Sequence, residues 1–298
     1  MSDNELRGMA IIGVHRSGTT FLGEIIRRYE NTAIIHEPFN KYYGLAGIKW
    51  TYPSDDDDCN IDHHRALLMS ILNGKPKFTR HVSADSKSKS IGRFVLGGRT
   101  GLDYLKYRLN RFFFGELYPV FKDPFLSMFA KTLLDQDFGV VCVVRHPAAV
   151  WQSIKRMSWK MNFDTFIGRK FSHSMTGNSY SEVEKFAILW NAVYEYVDGL
   201  KERSGFFLIR HEDLCVNPES VLNKIAISFS LTSTFDLKKY IDSVMRSSVI
   251  TPDNKSIHNL KRNSSDLVDS WRKSISVTDE DIIKSTTMDT FRKYYERW

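Results

Sequence analysis

The sequence predicts an α/β fold: a doubly wound, mostly parallel sheet with helical insertions. Three observations point there. Short apolar runs without polar alternation, above all Gly139-Val-Val-Cys-Val-Val144, read as strands covered on both faces. Between such runs lie segments with apolar residues at helical spacing. Strands and helices then alternate along most of the chain, which implies βαβ crossovers.

In chain order, Met9 to Val14 is a first strand, and Leu22, Ile25, Ile26 and Tyr29 mark the core face of the helix after it. Thr32 to Ile35 is a second strand, Val120 to Lys122 a short third, Gly139 to Val144 a fourth and Phe206 to Ile209 a fifth. Helices are expected over Phe125 to Leu134, Pro147 to Met157 and Ser181 to about Ser204, the last opened by a capping box of Ser181 and Glu184. Another begins near Asn217-Pro218, and a last one runs from Thr278 toward Trp298. Two stretches break the alternation. Residues 40–115 are too long for a loop and read as an insertion into a single domain of 1–298, whereas residues 247–277, irregular, polar and basic, are a possible lid.

Composition sets limits on function. At 42% hydrophobic and 26% charged residues, with 20 Phe, 13 Tyr and 6 Trp, a disordered or fibrous chain is excluded. The three cysteines, Cys59, Cys142 and Cys215, build neither a disulfide framework nor a four-cysteine zinc site, so a reducing, cytoplasmic setting is expected. The first residues are polar and the apolar run Met9–Val14 is too short for a signal core or a membrane span, so neither is expected. A net charge of +7 favours anionic ligands, but without a basic stripe it does not suggest nucleic acid.

The chemical signal begins at Gly13-Val-His-Arg-Ser-Gly-Thr-Thr20, which follows a strand and opens a helix, the context of a phosphate-binding loop. The glycine spacing is that of a P-loop, yet Thr19 stands at the lysine position and the cation has moved to Arg16. Glycines turn backbone N–H groups toward a ligand, and a helix N-terminus with a guanidinium favours an anion. A second constellation is Arg145, at the end of the fourth strand, with Ser153 two helical turns on; both can reach one anion at the carboxyl edge of the sheet.

With these motifs the chain resembles the sulfotransferases that use 3'-phosphoadenosine 5'-phosphosulfate (PAPS) and release 3'-phosphoadenosine 5'-phosphate (PAP). Arg16-Ser-Gly-Thr-Thr-Phe-Leu22 is similar to their 5'-phosphosulfate loop in its arginine form, commoner in carbohydrate and tyrosyl-protein sulfotransferases. Arg145 and Ser153 fall at the separation of the family's 3'-phosphate pair. Leu208-Ile-Arg-His-Glu-Asp-Leu214 is similar to its "YEDL" segment, with His211 in place of tyrosine, and Ser270-Trp-Arg272 fits the usual ending. The resemblance implies that Ser17, Gly18, Thr19 and Thr20 bind the donor with Arg16, that Phe21 stands where a tryptophan usually lies against adenine, and that Lys261 and Arg262 belong to a loop over the 3'-phosphate, although the family's glycine-containing lid pattern is absent.

Sulfuryl transfer needs a base for the acceptor hydroxyl, cations for the charge on the leaving phosphate, and in-line positioning. Arg16 and Lys122 are the cation candidates. In the small-molecule branch the base is a histidine two positions after that lysine, but here Pro124 stands there and takes no proton. Glu37, in Ile35-His-Glu-Pro-Phe39, matches the acidic base of the arginine-loop branch, with His36 as the alternative. No metal is expected, since the donor has no polyphosphate chain, and the acidic run Asp55–Asp58 reads as a solvated loop. The acceptor is expected to be a glycan or glycosylated small molecule met on the side of the 40–115 insertion, where Tyr42, Tyr43, Trp50 and Tyr52 offer stacking surfaces; a tyrosyl peptide or small alcohol is the alternative. An ATP-dependent P-loop kinase of a small molecule, or a non-catalytic nucleotide-binding scaffold, are the competing readings.

Overall fold

A computed structural model of the protein describes residues 6–82, 85–115, 117–157, 180–233, 235–245 and 268–298. Five strands form one sheet in the order β2-β3-β1-β4-β5, with β1 at Gly8–Ile12, β2 at Thr32–His36, β3 at Tyr118–Lys122, β4 at Phe138–Val144 and β5 at Phe206–Arg210. Every described pairing is parallel. The chain leaves β1 toward β2 and leaves β4 toward β5, so the connections diverge between the adjacent strands β1 and β4. Open α/β sheets bind ligands outside the carboxyl ends of the strands at such a switch point.

Around the sheet stand α1 (Thr19–Ile26), α2 (Ile61–Leu72), α3 (Lys87–Leu96), α4 (Gly98–Phe114), α5 (Ala130–Asp135) and α6 (Pro147–Arg156). They are followed by α7 (Glu182–Asp198), α8 (His211–Val216), α9 (Pro218–Ser228), α10 (Leu237–Met245) and α11 (Val277–Phe291). The pleat sends Met9, Ile11, Val141 and Val143 to a core shared with Leu22 and Ile25 of α1 and Leu222 and Ile225 of α9. It sends Ala10, Ile12, Val140 and Cys142 to a second core with Phe186, Trp190 and Val193 of α7. All seven residues of β4 are buried, which is why its sequence shows no polar alternation.

Several expected boundaries shift: the third strand already begins at Tyr118, and the last helix closes at Phe291. The helix expected over Phe125–Leu134 divides into a 3₁₀ turn at Pro124–Met128 and α5. Asp123 caps the turn through the Phe125 N–H (3.0 Å), and the Ser127 hydroxyl donates to the Pro124 carbonyl (2.7 Å) while accepting from Gly13 N–H (2.9 Å). A hydroxyl drawn toward the loop after β1 thus stops the turn from continuing as α-helix. The first strand closes at Ile12 because Gly13 turns away, and α7 closes at Asp198, after which short turns at Leu200 and Lys201 carry the chain to β5. The capping box of Ser181 and Glu184 is present as expected.

Residues 40–115 contribute α2, α3 and α4. The acidic run is only partly solvated: Asp56 and Asp58 are exposed as expected, but Asp55 accepts from the N–H groups of Lys131 and Thr132, at 3.0 and 3.2 Å, and from the hydroxyls of Thr132 and Tyr196, thereby capping α5. Asp57 is buried and accepts from Trp50 Nε1 at 2.6 Å. Helix α4 is tied to the end of β2, where the Thr100 hydroxyl donates to the His36 carbonyl (2.8 Å) and Asp103 accepts from the His36 N–H (3.3 Å). Of the lid expected over 247–277, Lys261 and Arg262 lie outside the described residues. Within its described part, Ser270–Lys273 forms a 3₁₀ turn whose Trp271 stacks on His146, with ring centroids 4.4 Å apart.

Candidate active site

The carboxyl edge of the sheet gathers the chemistry-bearing residues in strand order. In the β2–β3 register His36 lies opposite Lys122, and in the β1–β3 register Lys122 lies opposite Ile11. Ile12 pairs with Cys142, and Val144 with Arg210. Glu37, Lys122, the loop from Gly13, Arg145 and His211 therefore leave neighbouring strands at one level.

The loop after β1 is glycine-dependent at two points. Gly13 has φ 141°, and a Cβ there would meet the Val143 carbonyl oxygen at 2.4 Å, so no other residue lets the loop pass over β4. Gly18 has φ 107° and begins α1 without a side-chain cap or an acidic residue in the first turn, leaving the helix N-terminus receptive to an anion. Ser17 and Thr19 are buried, and Thr20 and Phe21 half-buried. Arg16, with φ 71°, occupies a left-handed conformation that costs a non-glycine residue about 1–3 kcal/mol.

Two arginines meet beside this loop. Arg16 Nε donates to the Ser153 hydroxyl at 3.0 Å, and Arg145 Nη1 donates to the Arg16 carbonyl at 3.0 Å. The sequence paired Ser153 with Arg145; in the structure its hydrogen bond is to Arg16. Burial, then the charges of Arg145 and Arg156, lower the Arg16 pKa, and no carboxylate offsets them. Arg145 is also lowered by burial, with Glu212 opposing. Glu212 itself accepts from His146 N–H (3.0 Å) and the Tyr295 hydroxyl (2.8 Å). The result is a cationic corner short of negative charge, which suits an anionic ligand.

His211 opens α8, with Nδ1 3.1 Å from Cys215 Sγ and its ring 6.4 Å from that of Phe21, at 30°. Burial, then Arg145, lower its pKa to about 3, so the imidazole is neutral at pH 7.

At the other end of the edge the charges are paired. Lys122, 3% exposed, donates to Glu37 Oε1 at 2.6 Å; His36 Nε2 lies 3.5 Å from the same oxygen, and Asn40 Nδ2 donates to Oε2 at 3.0 Å. Burial would raise the Glu37 pKa, but the charge and hydrogen bond of Lys122 outweigh it and hold the carboxyl at about 2. His36 is lowered to about 3 by burial and then Lys122. Glu37, like Arg16, is a non-glycine residue at positive φ, here 44°.

Two members of this cluster escaped sequence reasoning. His15 bonds through Nδ1 to the Tyr52 hydroxyl and sets its ring edge-on to Phe125, 4.3 Å away. Burial lowers its pKa to about 3, with Glu37 opposing and Lys122 and Arg16 assisting, which places it electrically between the base and cation candidates. Asp123 accepts from Phe39 N–H (2.6 Å) and Phe125 N–H (3.0 Å); burial and the Glu37 charge push its carboxyl up to about 8. His15 lay in plain view inside the loop motif, whereas the Phe39 amide that Asp123 serves is 84 residues away. Tyr52 is wholly buried, so it offers no stacking surface to a sugar.

A model of the sulfotransferase domain matches residues 7–294. The chain belongs to the sulfotransferase family. It is a PAPS-dependent sulfotransferase, and the Arg16 guanidinium beside an uncapped helix N-terminus fits the anionic donor of that family. The chain resembles the sulfotransferase domain of the Synechococcus PCC 7002 olefin synthase at 16% identity, covering 99% of this chain and 96% of that one with a TM-score of 0.51. It also resembles retinol dehydratase in complex with retinol and PAP, at 13% identity, covering 99% and 84%, TM-score 0.50. A mouse sulfotransferase complexed with PAP aligns at 14% identity over 96% and 84%, TM-score 0.45. At these identities the likeness is one of fold. No curated protein matches the chain by sequence. Among the described residues of this sulfotransferase, no helix is long and apolar enough to cross a membrane, and no three His, Cys, Asp or Glu gather as a metal site.

Proposed function

We propose that this sulfotransferase moves the sulfuryl group of PAPS to a hydroxyl of a glycan or glycosylated small molecule, with Glu37 as base. The observation that carries the reading is the split of the carboxyl edge: a cationic corner at Arg16 and Arg145, and at the other end a carboxylate held by a lysine, 2.6 Å apart. Arg16, the helix N-terminus at Gly18–Thr20 and Ser17 hold the 5'-phosphosulfate. Arg145 and Ser153 hold the 3'-phosphate, and Phe21 and His211 flank the adenine. Lys261 and Arg262 would complete that end.

Glu37 takes the acceptor's proton as the acceptor oxygen bonds to sulfur. The bond from sulfur to the phosphate oxygen breaks, and Arg16 and Lys122 meet the charge left on that phosphate. A carboxylate held at about 2 is a weak base. Sharing Lys122 with the anionic donor relaxes that hold, so donor binding raises the basicity of Glu37 when it is needed.

The chain acts as one domain of 1–298, in a reducing cytoplasmic setting that suits its free cysteines. Residues 40–115 form its acceptor side: Tyr42 and Tyr43 are exposed there, and the Arg93 guanidinium lies 5.0 Å over the Tyr43 ring. The test is a screen of glycans, tyrosyl peptides and small alcohols with labelled PAPS. Label on a glycan hydroxyl is expected; label only on peptide tyrosine or a simple alcohol overturns the acceptor assignment, and phosphorylation from ATP in its place overturns the donor.

A further inference from the structure

The insertion carries a surface that sulfuryl transfer does not explain. Segment 87–114, which spans α3 and α4, holds seven Lys or Arg residues and one Asp, a net +6 against +7 for the whole chain, so a basic patch is present that the sequence reading did not expect; of these cations Arg93 is buried against Asp85 and Arg99 lies 3.9 Å from Glu24. Asp103, its one acid, is buried against the His36 N–H. Among the described residues, the same segment also carries most of the exposed large apolar side chains. On α4, Leu105, Leu109, Phe112 and Phe113 fall at i, i+4, i+7 and i+8, a single stripe, and all four are exposed. Phe112, Phe113 and Phe114 are 82, 69 and 80% exposed at the end of the helix, where a protein bathed in water on every side gains nothing from three consecutive phenylalanines. On α3, Ile91, Phe94 and Val95 repeat the pattern at i, i+3 and i+4.

The opposite side of α4 is well anchored: Thr100, Tyr104 and Tyr107 are buried, and the Tyr104 hydroxyl donates to the Ile71 carbonyl at 3.3 Å. The exposed stripe is therefore the outer face of a docked helix. At 100° per residue, Lys106 and Arg108 flank the stripe on its two sides. Apolar residues with aromatics in the middle and cations along both margins make the pattern of a helix lying in the plane of an anionic lipid surface, rings among the acyl chains and cations among the headgroups. A second copy of the chain is disfavoured, because two such faces would press net charges of like sign together as they lost water.

We propose that α4, with α3 beside it, docks this sulfotransferase peripherally onto an anionic lipid bilayer. Thr100 and Asp103 join α4 to His36, so the docked chain holds the Glu37 end of the cleft within a helix length of the bilayer. The docking itself rests on exposed residues alone. The orientation of the acceptor side rests in addition on the proposed role of Glu37, and vesicle binding is read without turnover so that the two stand or fall separately.

The experiment is co-sedimentation of the full chain with phosphatidylcholine vesicles and with phosphatidylcholine–phosphatidylglycerol vesicles, at low and high salt. Binding is expected to the anionic vesicles, to weaken with salt, and to fall about tenfold or more in Phe112→Ser/Phe113→Ser. Lys106→Glu, which removes a cation and adds an anion near the surface, is expected to lower it by more than about fivefold. PAP affinity, measured by calorimetry on the same variants, should match wild type and shows that they are folded. No binding of wild type to either vesicle overturns the proposal, as does binding that the Phe variant leaves unchanged. A wild-type dimer that Phe112→Ser/Phe113→Ser converts to monomer overturns it in favour of a self-association face, and retained binding to an acidic protein with none to vesicles overturns it in favour of a protein partner.

Discussion

The two ends of the sheet's carboxyl edge solve the problem of buried charge in opposite ways. At the β1–β4 end, Arg16 and Arg145 are brought together with no carboxylate offsetting Arg16; their donors go to a serine hydroxyl and a backbone carbonyl. At the β2–β3 end, Lys122 and Glu37 neutralise each other at 2.6 Å, with His36 and Asn40 closing the cluster. An unbalanced corner stores unfavourable charge that an anion relieves, which supports the donor-binding role proposed for it. A balanced pair is at rest until something takes the lysine, so it is suited to a step that follows binding. The difference also assigns cost, since both ends hold one non-glycine residue at positive φ, Arg16 and Glu37, and the rest of the fold supports that strain.

Glu37→Gln should break the contrast most visibly. It preserves shape and removes the basicity, so turnover should fall ~10² to 10⁴-fold while PAP affinity stays within a few-fold of wild type. His36→Ala is its control: a large loss there, with Glu37→Gln near wild type, would transfer the role to His36. Full turnover in both would remove the base from this end altogether.

Arg145→Ala acts on the other end and should weaken PAP by about 2 to 4 kcal/mol through loss of a charge-assisted hydrogen-bonding fork. Adenosine 5'-phosphosulfate, which lacks the 3'-phosphate, should be nearly insensitive. Because Arg145 also holds the Arg16 carbonyl, calorimetry of both ligands separates the roles, an equal loss for both meaning that Arg145 supports the loop and does not bind the 3'-phosphate.

The balanced end should leave its mark on stability against pH. Glu37, held at about 2, adds stability above its ordinary value near 4.5 that is lost as pH falls toward 2. Asp123, pushed up to about 8, does the opposite: its contribution is complete below about 3.8 and is lost as pH rises toward 8. Asp123→Asn should flatten the decline between pH 4 and 8, by at most about 1.4 kcal/mol per pH unit, in urea unfolding followed across that range. An unchanged profile would mean that Asp123 stays ionised on its two backbone N–H donors.

The smallest effect is expected at Ser153→Ala, which removes a neutral partner of Arg16 together with the hydroxyl proposed for the 3'-phosphate, and should cost PAP about 0.5–1.5 kcal/mol. A loss as large as that of Arg145→Ala would give the hydroxyl the same weight at the 3'-phosphate as the guanidinium and erase the asymmetry between the two.

The order of the five strands was legible because each apolar run is local: the seven residues of β4 are all buried, and the run declares this without reference to any other part of the chain, whereas α2, α3 and α4 were read only as an insertion. The glycine loop and its arginine were legible for the same reason, since a strand, a turn and a helix start are contiguous. The split of the Phe125–Leu134 helix was not, because it depends on Ser127 reaching Gly13, 114 residues earlier. Nor were the contacts of Asp55, which caps α5 and binds Tyr196 from across the fold.

The sequence by itself determined the order of the five strands, the glycine loop with its arginine and the short set of groups able to carry charge. Tertiary structure alone decided which charges compensate one another: that Lys122 faces Glu37, that Ser153 serves Arg16, that His15 feels both, and that Asp123 stands beside the Lys122–Glu37 pair. Local patterns are set by the periodicity of side chains along a strand or helix, which the order of residues encodes directly. Compensation is set by distance and dielectric, and these exist only once crossovers of dozens of residues bring the strand ends to one edge.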